Sequence, residues 1–193
     1  KAGMLGKLTS VKQFKALVFF NHVGSLQQTK SWLTHHHVPV ATLSANQRQT
    51  ERQKALTDFR LGRVKLLLST DVAARGLDIA KLPAVVNFDL PDTAIIYTHR
   101  VGRTGRMGEP GQVVNFGDDH DLRDLKRLLK ETQYDLVPVY YQDHQLGTTY
   151  KRRPEQEQSF DDDQSTTAEA KVAGEVQTDP TAMQPASRKP RVK

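Results

Sequence analysis

The chain has no cysteine among its 193 residues, and aromatic residues make up only 7% of it. Without cysteine, neither a disulfide framework nor a cysteine-ligated metal site can form, which fits a reducing, cytoplasmic environment. No apolar run approaches the roughly 18 residues that a membrane-spanning helix needs, and no signal peptide is visible. We therefore expect a cytoplasmic protein that does not contact the membrane.

Positive charge is in excess, with 28 Lys and Arg against 22 Asp and Glu and a formal net charge of +6. Residues 141–193 hold 8 basic and 9 acidic residues, which leaves 20 against 13 for residues 1–140. The excess thus lies in the first part of the chain. A basic globular part favours a polyanionic partner, although charge alone does not choose among RNA, DNA and a membrane surface.

From residue 14 onward, short apolar runs alternate with helical patterns. The predicted strands are 16–20, 38–43, 64–68, 84–88 and 112–116, and the predicted helices are one beginning at Gly24-Ser25, then 47–60, 93–99 and 118–130. In the first helix, Ser25 is a candidate N-cap, and Leu26, Trp32 and Leu33 are candidates for the buried face. This alternation predicts an α/β fold, a parallel sheet with helices on both faces, whose functional loops follow the carboxyl ends of the strands.

The composition divides the chain into three parts. Residues 1–13 contain two glycines and a short helical pattern, so we interpret them as a linker with a short helix at the domain entry. Residues 14–140 form the predicted domain. Residues 141–193 are polar, rich in Pro and Gln and nearly free of aromatics, which predicts a disordered extension. Lys1 is not a natural start, which favours a piece of a longer protein.

Three arginines recur at every third residue in the string YTHRVGRTGR, which covers residues 97–106. Gly102 and Gly105 remove side chains that would keep a phosphate from the backbone. A guanidinium is always charged and matches phosphate geometry, so Arg100, Arg103 and Arg106 suit nucleotide phosphates or a nucleic-acid backbone. A solvated basic loop is the alternative for a bare arginine pattern.

A second unusual string, STDVAARGLDI, covers residues 69–79. Together the two strings resemble motifs V and VI of the superfamily 2 helicases, specifically the DEAD-box ATP-dependent RNA helicases, and the resemblance extends over roughly residues 14–135. It implies a RecA-like fold. The phosphate-binding Gly-Lys-Thr loop and the Asp-Glu-Ala-Asp string of that family's first domain do not occur here. The resemblance therefore implies the C-terminal RecA-like domain, with the N-terminal RecA-like domain of the same parent protein as its partner.

The resemblance also implies an ATP site shared between the two domains, with the Mg ligands in the first domain. Arg103 and Arg106 match the arginine fingers that stabilise charge on the γ-phosphate. Asp78 matches the residue that contacts the ATP ribose, and Gly76 lies beside it. His99 and Arg100 match residues that couple the domains to each other and to RNA. The alternatives are packing of the arginine loop against the sheet and, for Asp78, bracing of a nearby arginine.

RNA contacts are implied for a second group of residues, which consists of Gln49, Arg52, Thr70, Asp71 and Arg75. Gln49 and Arg52 match the family's Q-x-x-R motif, although an exposed helix surface is the simpler interpretation of that spacing alone. Arg75 matches a position that touches either RNA or the first domain. Ser44-Ala45 and His22 depart from the usual His-Gly and Thr, so the RNA contacts near them are open.

The resemblance implies the C-terminal half of an ATP-dependent RNA helicase, which we expect to lack ATPase activity on its own. The rival hypothesis is a non-catalytic RNA-binding or RNA-chaperone module, and a superfamily 2 DNA helicase is a closer alternative. No metal site is expected. Residues 35–37 are consecutive histidines, which point in different directions on a helix and are interpreted as a solvated helix end.

Overall fold

A parallel five-stranded sheet forms the centre of the domain. The computed structural model describes residues 1–76, 79, 82–105, 110–130, 132, 134–149 and 172–175. The parallel strands are β1 (Ala16–Phe20), β2 (Val40–Leu43), β3 (Leu66–Thr70), β4 (Ala84–Asn87) and β5 (Gln112–Phe116). They lie in the order β2-β3-β1-β4-β5. This order and direction confirm the predicted parallel α/β sheet.

Helices cover both faces of the sheet. They are α1 (Ala2–Leu8), α2 (Val23–His35), α3 (Gln49–Arg60), α4 (Asp71–Ala74), α5 (Ala94–Val101) and α6 (Asp119–Leu128). The buried residues of α3, α5 and α6 share one hydrophobic cluster, and those of α1 and α2 share the other. Strand β1 alternates between the two clusters, because Leu17 and Phe19 face one side while Val18 and Phe20 face the other.

Several predicted boundaries differ from the observed ones by one or two residues, and hydrogen bonds account for two of the differences. Helix α2 begins at Val23 after an N-cap at His22, and the Ser25 hydroxyl donates to the His22 carbonyl rather than capping the helix. Strand β3 begins two residues later than predicted, because the amides of Arg63 and Val64 still donate to the Asp58 carbonyl at the end of α3. The predicted N-cap role of Ser25 and the predicted start of the third strand at residue 64 were therefore wrong.

One residue of α2 does not lie where the periodicity placed it. Leu26 and Leu33 are buried as predicted, but Trp32 is 37% exposed. Its ring lies beside α1, where Gly3 and Gly6 leave room for it, and it stacks on the His36 ring with a centroid separation of 3.7 Å. Trp32 therefore covers the junction of two helices instead of entering the core.

The first residues pack closely on the domain. Helix α1 is the short helix that was expected, and Leu5 and Leu8 are fully buried in the same cluster as α2. The Lys1 ammonium donates to the Phe88 carbonyl at 3.3 Å. The assignment of residues 1–13 to a linker between two domains stays a prediction.

The chain after residue 136 adds three antiparallel strands, β6 (Val137–Gln142), β7 (Gln145–Gly147) and β8 (Val172–Glu175), of which β8 pairs with both β5 and β6. This differs from the disorder expected after residue 140. Tyr141 and Leu146 pack against the cluster of α1 and α2, which gives the hairpin a hydrophobic contact. Residues 150–171 and 176–193 lie outside the described residues. Within the described part of the chain, no helix has both the length and the apolar character needed to cross a membrane.

Candidate functional site

The carboxyl ends of the parallel strands meet at one edge, called the rim here. In the sheet register, Phe20 lies beside Thr70, Phe19 beside Asn87, and Leu43 beside Ser69. The loops that begin at Asn21, Ser44, Asp71 and Phe88 therefore start at the same edge, as predicted. Because only this edge presents all of them, a ligand shared among these loops must bind here.

Arg100 is the centre of the rim. Its side chain is 1% exposed, and its guanidinium uses all five N–H groups within this domain. Nε and Nη2 donate to the two Asp71 carboxylate oxygens at 2.8 and 2.6 Å. Nη1 donates to Asn87 Oδ1 at 3.2 Å and to the Asp89 carbonyl at 2.7 Å, and Nη2 also donates to Asn21 Oδ1 at 2.8 Å. One side chain thereby joins α5, α4 and the ends of β1 and β4.

The hydrogen bonds continue into the sheet through two asparagines. Asn87 Nδ2 donates to Asn115 Oδ1 at 2.7 Å, and Asn115 Nδ2 donates to the Tyr97 hydroxyl oxygen at 3.3 Å. Burial raises the pKa of Tyr97 to about 12, with the Asn115 hydrogen bond acting in the opposite direction. Tyr97 therefore stays neutral at physiological pH and fixes α5 against the sheet.

A second carboxylate, Asp89, ties the loop after β1 to the loop after β4. Its Oδ2 accepts from the Asn21 amide at 3.1 Å and from the Ser25 hydroxyl at 2.9 Å. The Asn21 side chain donates in turn to the Leu90 carbonyl at 2.8 Å. These bonds place Asn21, one of the Arg100 partners, in a fixed orientation. The Ser25 hydroxyl thus helps to order the rim.

This arrangement defines what Arg100 and Asp71 do within the domain. Arg100 was predicted to couple the two domains. In the structure, all five N–H groups of its guanidinium donate to acceptors within this domain. Asp71 was predicted near RNA, and both its oxygens accept from Arg100. The pair is bidentate and charge-assisted, the strongest form of such a contact. Because Arg100 offsets the Asp71 charge, a phosphate approaching this part of the rim meets less repulsion.

His99 and Arg103 lie near the same end of α5. His99 is exposed and Arg103 is half-buried. The turn that carries Arg103 is fixed by Thr104, whose hydroxyl donates to the Leu82 carbonyl at 2.5 Å, and by Gly105 at φ +65°. Gly111 lies so close to this turn that an added Cβ would be 2.3 Å from the Gly105 nitrogen. Arg103 is thus placed at the rim by a closely packed turn.

The remaining predicted ATP-site residues are only partly described. Gly76 is exposed and has φ +70°, a left-handed conformation that glycine adopts without steric cost. Asp78 and Arg106 lie outside the described residues. Their predicted contacts with the ATP ribose and phosphates stay predictions.

The predicted RNA-binding residues lie at the ends of α3 and α4. Arg52 Nη2 donates to the Ala73 carbonyl at 2.8 Å, which ties the two helices together. Gln49 is exposed in the first turn of α3, Thr70 is the half-buried N-cap of α4, and Arg75 is exposed after it. The structure therefore brings the Q-x-x-R residues next to the string that contains Thr70. Their contacts with RNA stay predictions.

Two other features of the sequence, the Ser44-Ala45 departure and the run of histidines at 35–37, can be located in the structure. The Ser44 amide donates to Gln47 Oε1 at 3.2 Å, which orders the loop where this chain departs from the family pattern. His36 Nδ1 lies 2.8 Å from the Trp32 carbonyl, and His35 and His36 are exposed at the end of α2. Among the described residues, no group of three His, Cys, Asp or Glu side chains has the geometry to hold a metal ion.

Sequence reasoning missed Asn21, Asn87 and Asn115, which supply acceptors or links for the Arg100 network. The sequence did contain a signal for them, because the string Val-Val-Asn-Phe occurs twice, at residues 85–88 across the end of β4 and at residues 113–116 in β5. An asparagine repeated inside a buried apolar strand needs a hydrogen-bond partner in the core. That pattern predicts a buried polar contact between neighbouring strands.

The matches with known proteins define the class of this domain. Residues 1–108 match the family described as helicase conserved C-terminal domain, and the chain belongs to that family. Over 148 residues it is 38% identical to the probable ATP-dependent RNA helicase YfmL of Bacillus subtilis. The aligned residues make up 77% of this chain and 39% of that protein. Over 131 residues it is 40% identical to the pre-mRNA-splicing ATP-dependent RNA helicase PRP28 of Pyricularia oryzae. The aligned residues make up 66% of this chain and 19% of that protein.

Solved structures narrow the class to the DEAD-box type. The E. coli DEAD-box protein SrmB, bound to the regulator of ribonuclease activity A, has a TM-score of 0.63 and 30% identity over 68% of this chain and 78% of that one. The C-terminal domain of the DEAD-box protein Dbp5 has a TM-score of 0.58 and 31% identity over 68% of this chain and 78% of that one. The chain is a C-terminal RecA-like domain of the DEAD-box RNA helicase type. It spans less than half the length of the two curated relatives.

Proposed function

We propose that this domain completes a composite ATP site with an N-terminal RecA-like domain and couples ATP hydrolysis to RNA clamping and local duplex unwinding. The Arg100 network carries the proposal. It ties Asp71, at the start of α4, to α5, which leads directly to Arg103. A displacement of α5 by nucleotide at Arg103 would therefore be transmitted to the predicted RNA-binding residues around α4.

In this proposal Arg103 and Arg106 contact the γ-phosphate, and Gly76 and Asp78 line the nucleotide. ATP supplies the phosphoryl group, with Mg held by the partner domain. The contribution of this chain is positioned positive charge, since an arginine finger stabilises the charge that develops on the transferred phosphoryl group. Thr104 and Gly105 hold Arg103 in a fixed turn, which reduces the entropy lost on reaching the phosphate.

RNA would bind on the other side of the rim, at Gln49, Arg52, Thr70, Asp71 and Arg75. Arg52 and Arg75 supply positive charge, and contacts to the backbone predict little sequence preference and a strong dependence on salt. A solved relative that is 31% identical, S. cerevisiae Dbp5, is bound to RNA and ADP BeF3, which supports a combined nucleotide and RNA role. His99 is exposed beside Arg103 and would face the partner domain.

The test is ATP hydrolysis, with and without single-stranded RNA, by this chain alone and after fusion to a DEAD-box N-terminal domain. We expect turnover only in the fusion with RNA. Arg103→Lys should lower kcat of the fusion by about 10³-fold or more, because lysine lacks the planar fork, while RNA affinity changes little.

A matched control is Arg123→Lys, which makes the same change on the exposed surface of α6 and should leave turnover unaffected. Robust RNA-stimulated hydrolysis by the chain alone would contradict the composite site. If Arg103→Lys instead weakened RNA binding and left turnover of the fusion unchanged, the non-catalytic RNA-binding module would be the better account.

A further inference from the structure

Helix α1 has contacts with both edges of the sheet. At its start, the Lys1 ammonium donates to the carbonyl of Phe88, which follows β4 at the rim, and lies 3.7 Å from the Asp121 carboxylate. At its end, the Thr9 carbonyl accepts from the ammonium of Lys65, which precedes β3 at the opposite edge. Lys1 is therefore held at the rim for as long as α1 stays in place.

By itself α1 is a weak helix. It has seven residues, and two of them are glycines, which lower the stability of a helix. Leu5 and Leu8 bury its inner face, and Gly3 and Gly6 let Trp32 approach it. Contacts at the two ends of α1 therefore decide how firmly it stays docked on the domain.

The β6–β7 hairpin contacts the end of α1 through Ser10, Tyr141 and His144, which we call the hairpin latch. The Ser10 hydroxyl donates to the carbonyl of Lys7, in the last turn of α1, at 2.7 Å. Its oxygen lies 2.7 Å from the Tyr141 hydroxyl and 2.8 Å from His144 Nδ1. A hydroxyl oxygen has two lone pairs, so it can accept one hydrogen bond from each of these groups. Two side chains of the hairpin thus hold one side chain at the end of α1.

His144 occupies a position in the hairpin that favours glycine. Asp143 and His144 form the two-residue loop between the paired residues Gln142 and Gln145, with φ values of 49° and 59°. Both values lie in the left-handed region, which glycine adopts without steric cost, and loops of this kind prefer glycine for that reason. The turn gains nothing from an imidazole at this position, but the ring reaches Ser10. This indicates that His144 serves the contact with α1.

The hairpin is itself anchored to the body of the domain. Val139 is buried, and Tyr141 and Leu146 pack against the cluster that contains Leu5 and Leu8. Strand β6 also pairs with both β7 and β8. The hairpin latch therefore connects α1 to an element that is fixed on the sheet, so it opposes the release of α1.

We propose that the hairpin latch is a conformational device that keeps α1 docked, with Tyr141 and His144 as positioning residues. Its consequence for catalysis rests on the proposed function, in which an N-terminal RecA-like domain precedes Lys1. While α1 is docked, that domain is attached directly beside the rim. When α1 undocks, residues 1–13 become a tether of up to about 45 Å, and the effective concentration of the N-terminal domain at the rim falls.

Hydrogen exchange of the 193-residue chain, followed by mass spectrometry on peptides that cover α1, measures undocking. The variant His144→Gly removes the imidazole and relieves the left-handed conformation. His37→Gly is the matched control, because His37 is also an exposed histidine at positive φ, 58°, and lies just beyond α2.

We expect α1 amides to exchange about fivefold faster in His144→Gly, which corresponds to one lost hydrogen bond, and at the parent rate in His37→Gly. Amides of β1 should keep the parent rate in both variants, because relief of the turn offsets the lost bond in global stability. Tyr141→Phe, which removes only the hydroxyl, should speed α1 exchange by a similar factor. Equal α1 rates in His144→Gly and His37→Gly would overturn the inference. So would an equal acceleration of α1 and β1, which reports global destabilisation.

The positioning role is tested in a fusion that joins a DEAD-box N-terminal domain to Lys1. His144→Gly should raise the KM for RNA and leave kcat unchanged, because RNA must then bring together domains that are farther apart while the arginines stay in place. An unchanged KM, or a loss confined to kcat, would overturn the positioning role. If the unaltered fusion does not hydrolyse ATP, the proposed function fails, and the exchange rates of α1 still decide whether the hairpin latch holds it.

Discussion

Replacement of Arg100 by lysine should destabilise the domain although the charge is kept. Lysine offers three donors where arginine uses five, so at least two acceptors lose a partner. Asn87 Oδ1 is fully buried and cannot recover a bond from water, whereas the Asp71 side chain is 32% exposed and can be rehydrated. At about 1–3 kcal/mol for each unsatisfied buried group, we expect a loss of about 2–4 kcal/mol of unfolding free energy.

Equilibrium unfolding in urea measures this loss. With a slope of about 2 kcal/mol per molar, the midpoint should fall by about 1–2 M. The control is Arg127→Lys, which makes the same change in a surface ion pair where the arginine side chain is 81% exposed. That variant should stay within about 0.5 kcal/mol of the parent chain. The reasoning about the buried guanidinium is refuted if Arg100→Lys also stays within that range.

The Asp71→Asn variant tests the same network by changing the carboxylate that accepts from Arg100. The amide keeps the size of the side chain but removes the charge that balances a buried guanidinium. Loss of one member of a buried pair costs about 3–5 kcal/mol, and the partial exposure of Asp71 places the expected value at the lower end of that range. A loss as small as that of a surface variant would show that Arg100 does not depend on this carboxylate.

Two further predictions concern the sheet and the Arg103 turn. Because the pKa of Tyr97 is about 12 in the folded chain and near 10 when unfolded, ionisation favours unfolding, so stability should fall as pH rises from 10 to 12. Urea unfolding across that range should show a shallower fall for Tyr97→Phe, and identical pH dependence in the two chains would contradict the assignment. Gly111→Ala should cost about 2 kcal/mol, because its Cβ would meet the Gly105 nitrogen at 2.3 Å and Thr104 Oγ1 at 2.6 Å. Gly24→Ala, in α2 and facing open space, is the matched control and should be neutral or stabilising; equal stabilities of the two variants in urea would refute the predicted clash.

The sequence predicted the sheet because its signals are local. Five apolar runs of four to six residues alternate with helical patterns, and such runs form strands that are buried on both faces. Because the strands are parallel, every loop that follows a strand lies at the same edge of the sheet. The position of the rim could therefore be predicted from the same pattern. Errors arose where a boundary depends on turn hydrogen bonds, as at Val64, or where a ring finds space between two helices, as for Trp32.

The hairpin after residue 136 was harder to predict. Val137, Val139 and Tyr141 alternate with other residues, which is typical of a strand, but β6 is stable only because it can pair with β7 and β8 and pack on the α1 cluster. These partners are distant in sequence or belong to a polar segment. Composition averaged over residues 141–193 therefore obscured a short ordered element.

The sequence by itself determined the fold class and the loop that carries the arginines, because periodicity and glycine spacing act over a few residues. Only the tertiary structure decided which arginine faces inward. Arg100 and Arg103 have the same local pattern, but Arg100 shares a helix face with Tyr97 and Val101 and meets acceptors from three other elements. A guanidinium can be buried only where such acceptors converge, and that convergence depends on the register of β1, β3 and β4.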